Sequence, residues 1–334
     1  MATDLSENAP RRCLILRGGA LGDFLVTVPA LQAIRAAWPA AMVELWCPPA
    51  VARLAALAGL ADRTRSLDRA DMAEWFVPGA PPALAQPFDA AVSLVHDPDG
   101  VLAANLGGAG IGHVLAVSPL VTQGHASDHC LQSLAALGIP FVTGTCPRIT
   151  LPDAWRCQGL AMARAFGDGP VAIHSGSGSP RKNWPLDRYL SLAGRISRQT
   201  GRPVVFLAGE VEEESGVRAR LEREGQPVVS GCTVEAIAAF LLACAGYVGN
   251  DSGVTHLAAA LGTPVVAVFG PTDPAVWAPR GPNVRVVQAQ RRVGGDLAAV
   301  SVEDVVRAFA SVSSRTEGYA QSWGLAMDPA RGAV

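Results

Sequence analysis

The feature that most constrains this chain is a pattern that runs through it twice. A short aliphatic run is followed by a turn, and then by a longer stretch with apolar residues at helical spacing. CLILR (13–17) predicts a strand, GGALG a turn, and FLVTVPALQAIRAAW (24–38) a helix. VELW (43–46), TRSL (64–67) and FDAAVSLV (88–95) predict further strands, with helical segments between most of them. A stretch carrying Pro140, Pro147 and Pro152 interrupts the pattern and reads as a connection. The alternation then restarts. PVAIHS (170–175), PVVFLAG (203–209), PVVS (227–230), YVGN (247–250) and TPVVAVFG (263–270) predict strands. Helices are predicted over 186–199, 210–223, 233–244, 253–262 and 300–312. Strands alternating with helices imply parallel sheets with right-handed crossovers. The expected division is an N-terminal α/β domain over 1–155, a C-terminal one over 156–312, and a tail over 313–334 that frays or packs back on the first domain.

Composition sets the outer bounds. Apolar residues make up 49% of the 334 and charged residues 17%, enough to bury two cores and too apolar for a disordered chain. A net charge of −2 argues against a dedicated nucleic-acid binder, which needs a basic face for phosphates. Seven cysteines, an odd number with no C-x-x-C, exclude a disulfide framework and a structural zinc site, and fit a reducing compartment. The first residues lack the apolar core of a signal peptide. Residues 100–127 carry no charge, but glycines, an asparagine and two histidines break them up too much for a membrane span. The expected location is cytoplasmic, with peripheral membrane contact left open.

Three glycine-bearing turns follow predicted strands and hold the polar residues worth weighing. RGGALGD (17–23) lets backbone approach a ligand at a helix start, but it lacks the G-x-G-x-x-G of dinucleotide folds. Asp23 suits a helix dipole while repelling phosphate, so it reads either as a capping aspartate or as a general base facing a cleft. HSGSGSPRKNWP (174–185) offers Ser175, Ser177 and Ser179 between Gly176 and Gly178, then Lys182, the one lysine among 27 basic residues. Hydroxyls, amides and a compact cation suit a diphosphate, although no Walker A pattern is present. GNDSGVTH (249–256) ends a strand and opens a helix, where amides of Ser252 and Gly253 could hold a diphosphate and Asp251 could accept sugar hydroxyls. Ser252, His256 and Asp251 lie too close in sequence to form a hydrolytic triad. Asp97 and Asp99 spell D-x-D, a pattern that holds divalent metals, but their place after a strand fits helix capping better. Glu212, Glu213 and Glu214 open a helix, and one of them could meet a ribose or a base.

These three motifs, in this order, resemble the ADP-heptose:lipopolysaccharide heptosyltransferases, glycosyltransferase family 9. The run from ILRGGALGDF looks like that family's opening, HSGSGSPRKNWPLDRYLSLA like its nucleotide loop, and NDSGVTHLAAALGTPVVAVFGPTDPAVWAP like its C-terminal signature. The likeness extends from about Arg12 to Pro279 and is weak between 50 and 165. It implies a GT-B fold, two Rossmann-like domains facing across a cleft, with the acceptor on the first domain and the donor on the second. It further implies metal-independent, inverting transfer from an ADP-sugar to a glycan or glycolipid hydroxyl, without a cofactor. By the same resemblance Asp23 is the base and Lys182 meets the donor phosphates. Glu212 is the best match for the acidic residue at the nucleoside. Ser175, Ser177, Gly178, Cys232, Asp251, Ser252, Gly253 and His256 complete the donor side, and Gly18, Gly19 and Gly22 form the acceptor-side loop. The loop departs from the family's Pro-Gly opening, with Ser175-Gly176 in its place. Residues 1–150 hold 9 Arg against 12 Asp plus Glu, fewer cations than a phosphate-rich acceptor favours. Three rivals fit the same outline: a nucleotide-sugar epimerase of similar fold, a nicotinamide-dependent dehydrogenase, and a non-catalytic nucleotide-sugar binding protein. The missing G-x-G-x-x-G disfavours the dehydrogenase.

Overall fold

The computed structural model describes residues 5, 9–79, 81–288 and 296–313. The first half runs β1 (Arg12–Arg17), α1 (Leu21–Ala37), β2 (Met42–Cys47), α2 (Pro49–Leu57), β3 (Arg63–Ser66), β4 (Ala90–Leu94), α3 (Val101–Gly108), β5 (His113–Ala116) and α4 (Ala126–Ser133). The second begins with α5 (Asp153–Arg164), β6 (Val171–His174), α6 (Leu186–Thr200), β7 (Val204–Ala208), α7 (Glu210–Glu214), α8 (Val217–Arg223) and β8 (Val228–Ser230). It continues with α9 (Val234–Leu242), β9 (Gly246–Asn250), α10 (Gly253–Ala260), β10 (Val265–Phe269), α11 (Pro274–Trp277), β11 (Val284–Gln288) and α12 (Val302–Ser313).

Two all-parallel sheets result, ordered β3-β2-β1-β4-β5 and β11-β10-β9-β6-β7-β8. Both reverse direction beside their first strand, between β1 and β4 and between β6 and β9. In such sheets the crevice outside the carboxyl ends at the reversal is the natural ligand site. β6, β7, β9 and β10 are buried at every residue, as helices on both faces require. The helix layers between the sheets merge into one apolar cluster that includes Leu25 and Val28 of α1 and Leu257 and Ala258 of α10, so the core crosses the domain boundary. Among the described residues no helix is long and apolar enough to cross a membrane.

Several expectations need correction. β5 and β11, both edge strands and only partly buried, are absent from the strands expected from the sequence. The helix expected over 210–223 is two, broken where Gly216 takes φ +74. α1 starts at Leu21, three residues earlier than its apolar periodicity suggests. α5 straddles the expected division at 155 and packs its Gly159 against the backbone of α9. Of the expected tail, Ser313 ends α12 and the rest lies outside the described residues.

Candidate active site

On the second domain the site is built around the reversal between β6 and β9. The loop after β6 carries Lys182, whose Nζ donates to Asp251 Oδ2 at 2.8 Å. Thr272 Oγ1 donates to the same oxygen at 2.7 Å. Asp251 is buried and the lysine side chain is one-third exposed, so the carboxylate fixes the ammonium while leaving it open on one side. The sequence motif suggested Asp251 as a sugar ligand, but its first partner in the structure is the lysine. Ser177 Oγ lies 2.7 Å from Ser179 O and 2.6 Å from Asn183 Oδ1, so that hydroxyl braces the loop from within. Ser175 is buried and its Oγ has no partner. Gly178 is exposed, with open space where a Cβ would stand.

Ser252 caps α10, accepting the Thr255 N–H. The first-turn amides beyond it are left over, as at any helix start, and favour an anion. Ser252 Oγ stands 3.5 Å from His174 Nδ1, and His174 Nε2 stands 3.5 Å from Glu212 Oε1. His174, at the end of β6, therefore links the start of the 175–184 loop to two other turns, a role the sequence did not flag. Ser252 faces His174 and Asp251 is held by Lys182, so no triad with His256 forms. His256 itself is buried. Burial pulls its pKa down to about 4; Asp251 and Asp23 oppose this while His125 and Lys182 add to it. It is neutral near pH 7.

The three glutamates separate cleanly. Glu212 is the third residue of its helix, and its Oε2 accepts the Gly209 N–H at 2.7 Å, satisfying a free donor of the helix start. That turns its side chain inward to 4% exposure. Burial acts to raise its pKa, but the hydrogen bonds from His174 and Gly209 prevail and hold it below the usual glutamate value. Glu213 instead pairs with Arg218 at the surface, and Glu214 is exposed. Gly209 and His174, the two partners of Glu212, line an apolar cavity of about 160 Å³ together with Leu21, Cys232, Val254 and Leu257 among others. Cys232 is exposed at its wall.

The first domain brings Asp23. It is not the N-cap residue but sits at the third position of α1, and its Oδ2 accepts the Ala20 N–H at 2.9 Å. Gly19 has φ +89, and a Cβ there would meet Asp23 Oδ2 at 2.6 Å, so glycine is required on both counts. Gly18 has open space around it. Arg17, buried at the end of β1, holds the Asp23 carbonyl oxygen at 3.0 Å and lies 3.4 Å from Oδ1. The aspartate side chain stays 41% exposed. Asp97 accepts the Leu102 and Ala103 N–H groups and thereby caps α3. Among the described residues no group of three His, Cys, Asp or Glu is placed to hold a metal.

The two halves meet at glycines. A Cβ on Gly253 would stand 2.9 Å from Gly22 N and 2.8 Å from Leu21 Cβ, so the starts of α1 and α10 touch backbone to backbone. Polar contacts brace the same interface. His125 Nε2 bonds Ala278 O at 2.9 Å, and Asp128 takes Arg280 in a two-pronged pair at 2.6 Å. Asp23, one residue past Gly22, and Ser252, one residue before Gly253, therefore flank the same interdomain contact, with the Lys182–Asp251 pair on the second-domain side.

Residues 145–306 match the family model described as Glycosyltransferase family 9 (heptosyltransferase). Lipopolysaccharide heptosyltransferase 2 of Salmonella typhimurium is 33% identical over 115 residues, 33% of each chain. The chain thus aligns with about a third of the length of that curated relative. A family 9 glycosyl transferase structure from Veillonella parvula superposes with a TM-score of 0.77 at 19% identity, covering 94% of this chain and 99% of that one. An E. coli heptosyltransferase solved with ADP superposes at 0.69 and 19% identity, covering 90% and 99%. The fold is GT-B, and over residues 145–306 this chain carries the family 9 glycosyltransferase (heptosyltransferase) domain.

Proposed function

We propose that this chain is an inverting, metal-independent glycosyltransferase that moves a heptose or related sugar from an ADP-sugar to a hydroxyl of a glycan or glycolipid. The observation that supports the reading is the backbone contact at Gly22 and Gly253, the neighbours of Asp23 in one domain and of Ser252 in the other. Asp23 takes the proton of the acceptor hydroxyl as its oxygen attacks the anomeric carbon. The transition state is oxocarbenium-like, as in glycoside cleavage. Negative charge grows on the departing diphosphate, where Lys182 and the first amides of α10 receive it. The apolar cavity suits a nucleoside, and Glu212 is bonded to two of its lining residues, Gly209 and His174. Nucleotide-bound heptosyltransferase neighbours of the same fold support ADP as the nucleotide.

The test pairs calorimetric titration with turnover. Native protein is expected to bind ADP and ADP-heptose in preference to UDP and GDP, with or without a chelator. Asp23→Asn, which keeps an oxygen for the Ala20 N–H, should retain that affinity and lose transfer. Normal turnover in Asp23→Asn would remove the base assignment. Consumption of donor at full rate without acceptor would favour the epimerase.

A further inference from the structure

We propose that Asn250 is a positioning residue for Lys182, closing the loop that presents the ammonium to the donor diphosphate. The proposal rests on reading Lys182 as the phosphate-binding lysine. Asn250 ends β9 and has no exposed surface. Its Oδ1 accepts the Trp184 N–H at 2.9 Å and the Tyr189 hydroxyl at 2.8 Å. Its Nδ2 donates to Ser175 O at 2.8 Å and to Gly176 O at 3.4 Å. One side chain therefore grips both ends of the 175–184 loop. Lys182 stands two residues before the far anchor, inside a turn closed by Lys182 N–H to Ser179 O and Asn183 N–H to Pro180 O. The next residue, Asp251, holds the lysine head. The last residue of β9 and the first residue after it thus fix the loop backbone and the ammonium separately.

Only a carboxamide of this length can do both halves of the task. It offers an acceptor oxygen with two lone pairs and a nitrogen with two hydrogens, and here each is used twice. An aspartate would keep the bonds from Trp184 and Tyr189 but would face the Ser175 and Gly176 carbonyls with no hydrogen to give. An alanine would leave all four buried groups unmatched. Loosening the loop lets Lys182 swing while its pairing partner Asp251 stays in place.

The experiment is a double-mutant cycle on ADP affinity, using the full chain: native, Lys182→Ala, Asn250→Ala, and both together. Lys182→Ala is expected to weaken ADP about tenfold to a hundredfold in the native background, the range for a charged hydrogen bond. In the Asn250→Ala background the same change should cost less than about threefold, because the lysine is already misplaced. Hydrogen exchange read on the 175–185 peptide should speed up in Asn250→Ala while α9 and α10 stay protected. Asn250→Ser carries the same cycle where Asn250→Ala does not fold. An undiminished Lys182 effect in either Asn250 background, or unchanged exchange in that peptide, would overturn the positioning role alone. Absence of ADP binding by the native chain would overturn both this role and the nucleotide reading beneath it.

Discussion

Gly176→Ala tests the close fit between the 175–184 loop and the buried glutamate. Gly176 does not lie in the left-handed region, so its demand is for space alone. A Cβ there would fall 1.5 Å from Glu212 Oε1 and 2.6 Å from Glu212 Cδ. Glu212 is buried, so its carboxylate has to turn out of place to make room. In turning it gives up the Gly209 N–H at 2.7 Å and the His174 contact at 3.5 Å. Hydrogen bonds to a charged group contribute about 1.5–3 kcal/mol, and overpacking costs about 1–3 kcal/mol. The carboxylate's movement relieves the overlap, so the two costs do not add, and the expected loss is about 2–3 kcal/mol. For a domain of this size that lowers the melting midpoint by about 6 °C in calorimetry. On the proposed reading ADP affinity should fall as well, because Glu212 braces His174 and Gly209, which line the apolar cavity. The refutation is built into a second background. With Glu212→Ala already present the obstacle is gone, and Gly176→Ala should then cost no more than about 0.5 kcal/mol. An equal drop in both backgrounds would show that the glycine serves some other need.

The sequence was most readable where burial is complete and the pattern local. β7 and β10 announce themselves as unbroken apolar runs, whereas β5 and β11, half-wet at the sheet edges, do not. Lys182 stood out as a single lysine among arginines, and the turns around it could be found from glycine spacing. What it touches could not. Asp251 and Asn250 meet the 175–184 loop across 69 and 66–75 residues of sequence, and nothing in GNDSG distinguishes an asparagine aimed inward from one facing water. The three adjacent glutamates share one helix propensity and one dipole preference. Only the register relative to Gly209 decides that Glu212 turns in and Glu213 out. Asp23 shows the same limit: a helix start was evident, but whether it was the cap itself or three residues further in depended on where the strand released the chain. The pair of Asp128 with Arg280 spans 152 positions and joins two residue types that are ordinary on any surface.

The remaining predictions probe the interface and its charges. Gly253→Ala should force α1 and α10 apart, since its Cβ would press on Gly22 backbone. It is expected to cost about 1–3 kcal/mol in urea unfolding and to suppress transfer, while Gly22→Ala, whose Cβ has 3.6 Å to Gly253 Cα, is tolerated. The Arg280 hydrogen bonds hold the Asp128 carboxyl below its usual range against the opposing effect of burial. Its stabilisation is complete above about pH 4 and lost as pH falls further, so Asp128→Asn should flatten the acid limb of the urea midpoint and cost about 1–2 kcal/mol at pH 7. His256 acts in a different window. Its folded pKa of about 4, set first by burial, lies below the value of about 6.5 that it takes when unfolded. The unfolded chain therefore gains a proton more readily, and stability is full above about pH 6.5, declines as pH drops toward 4, and then levels. The decline amounts to roughly 3 kcal/mol at most. His256→Gln should abolish the loss between pH 6.5 and 4 and leave the Asp128 limb below it intact. A native chain whose urea midpoint stays flat across pH 6.5 to 4 would refute a buried neutral histidine at the meeting point of the two domains.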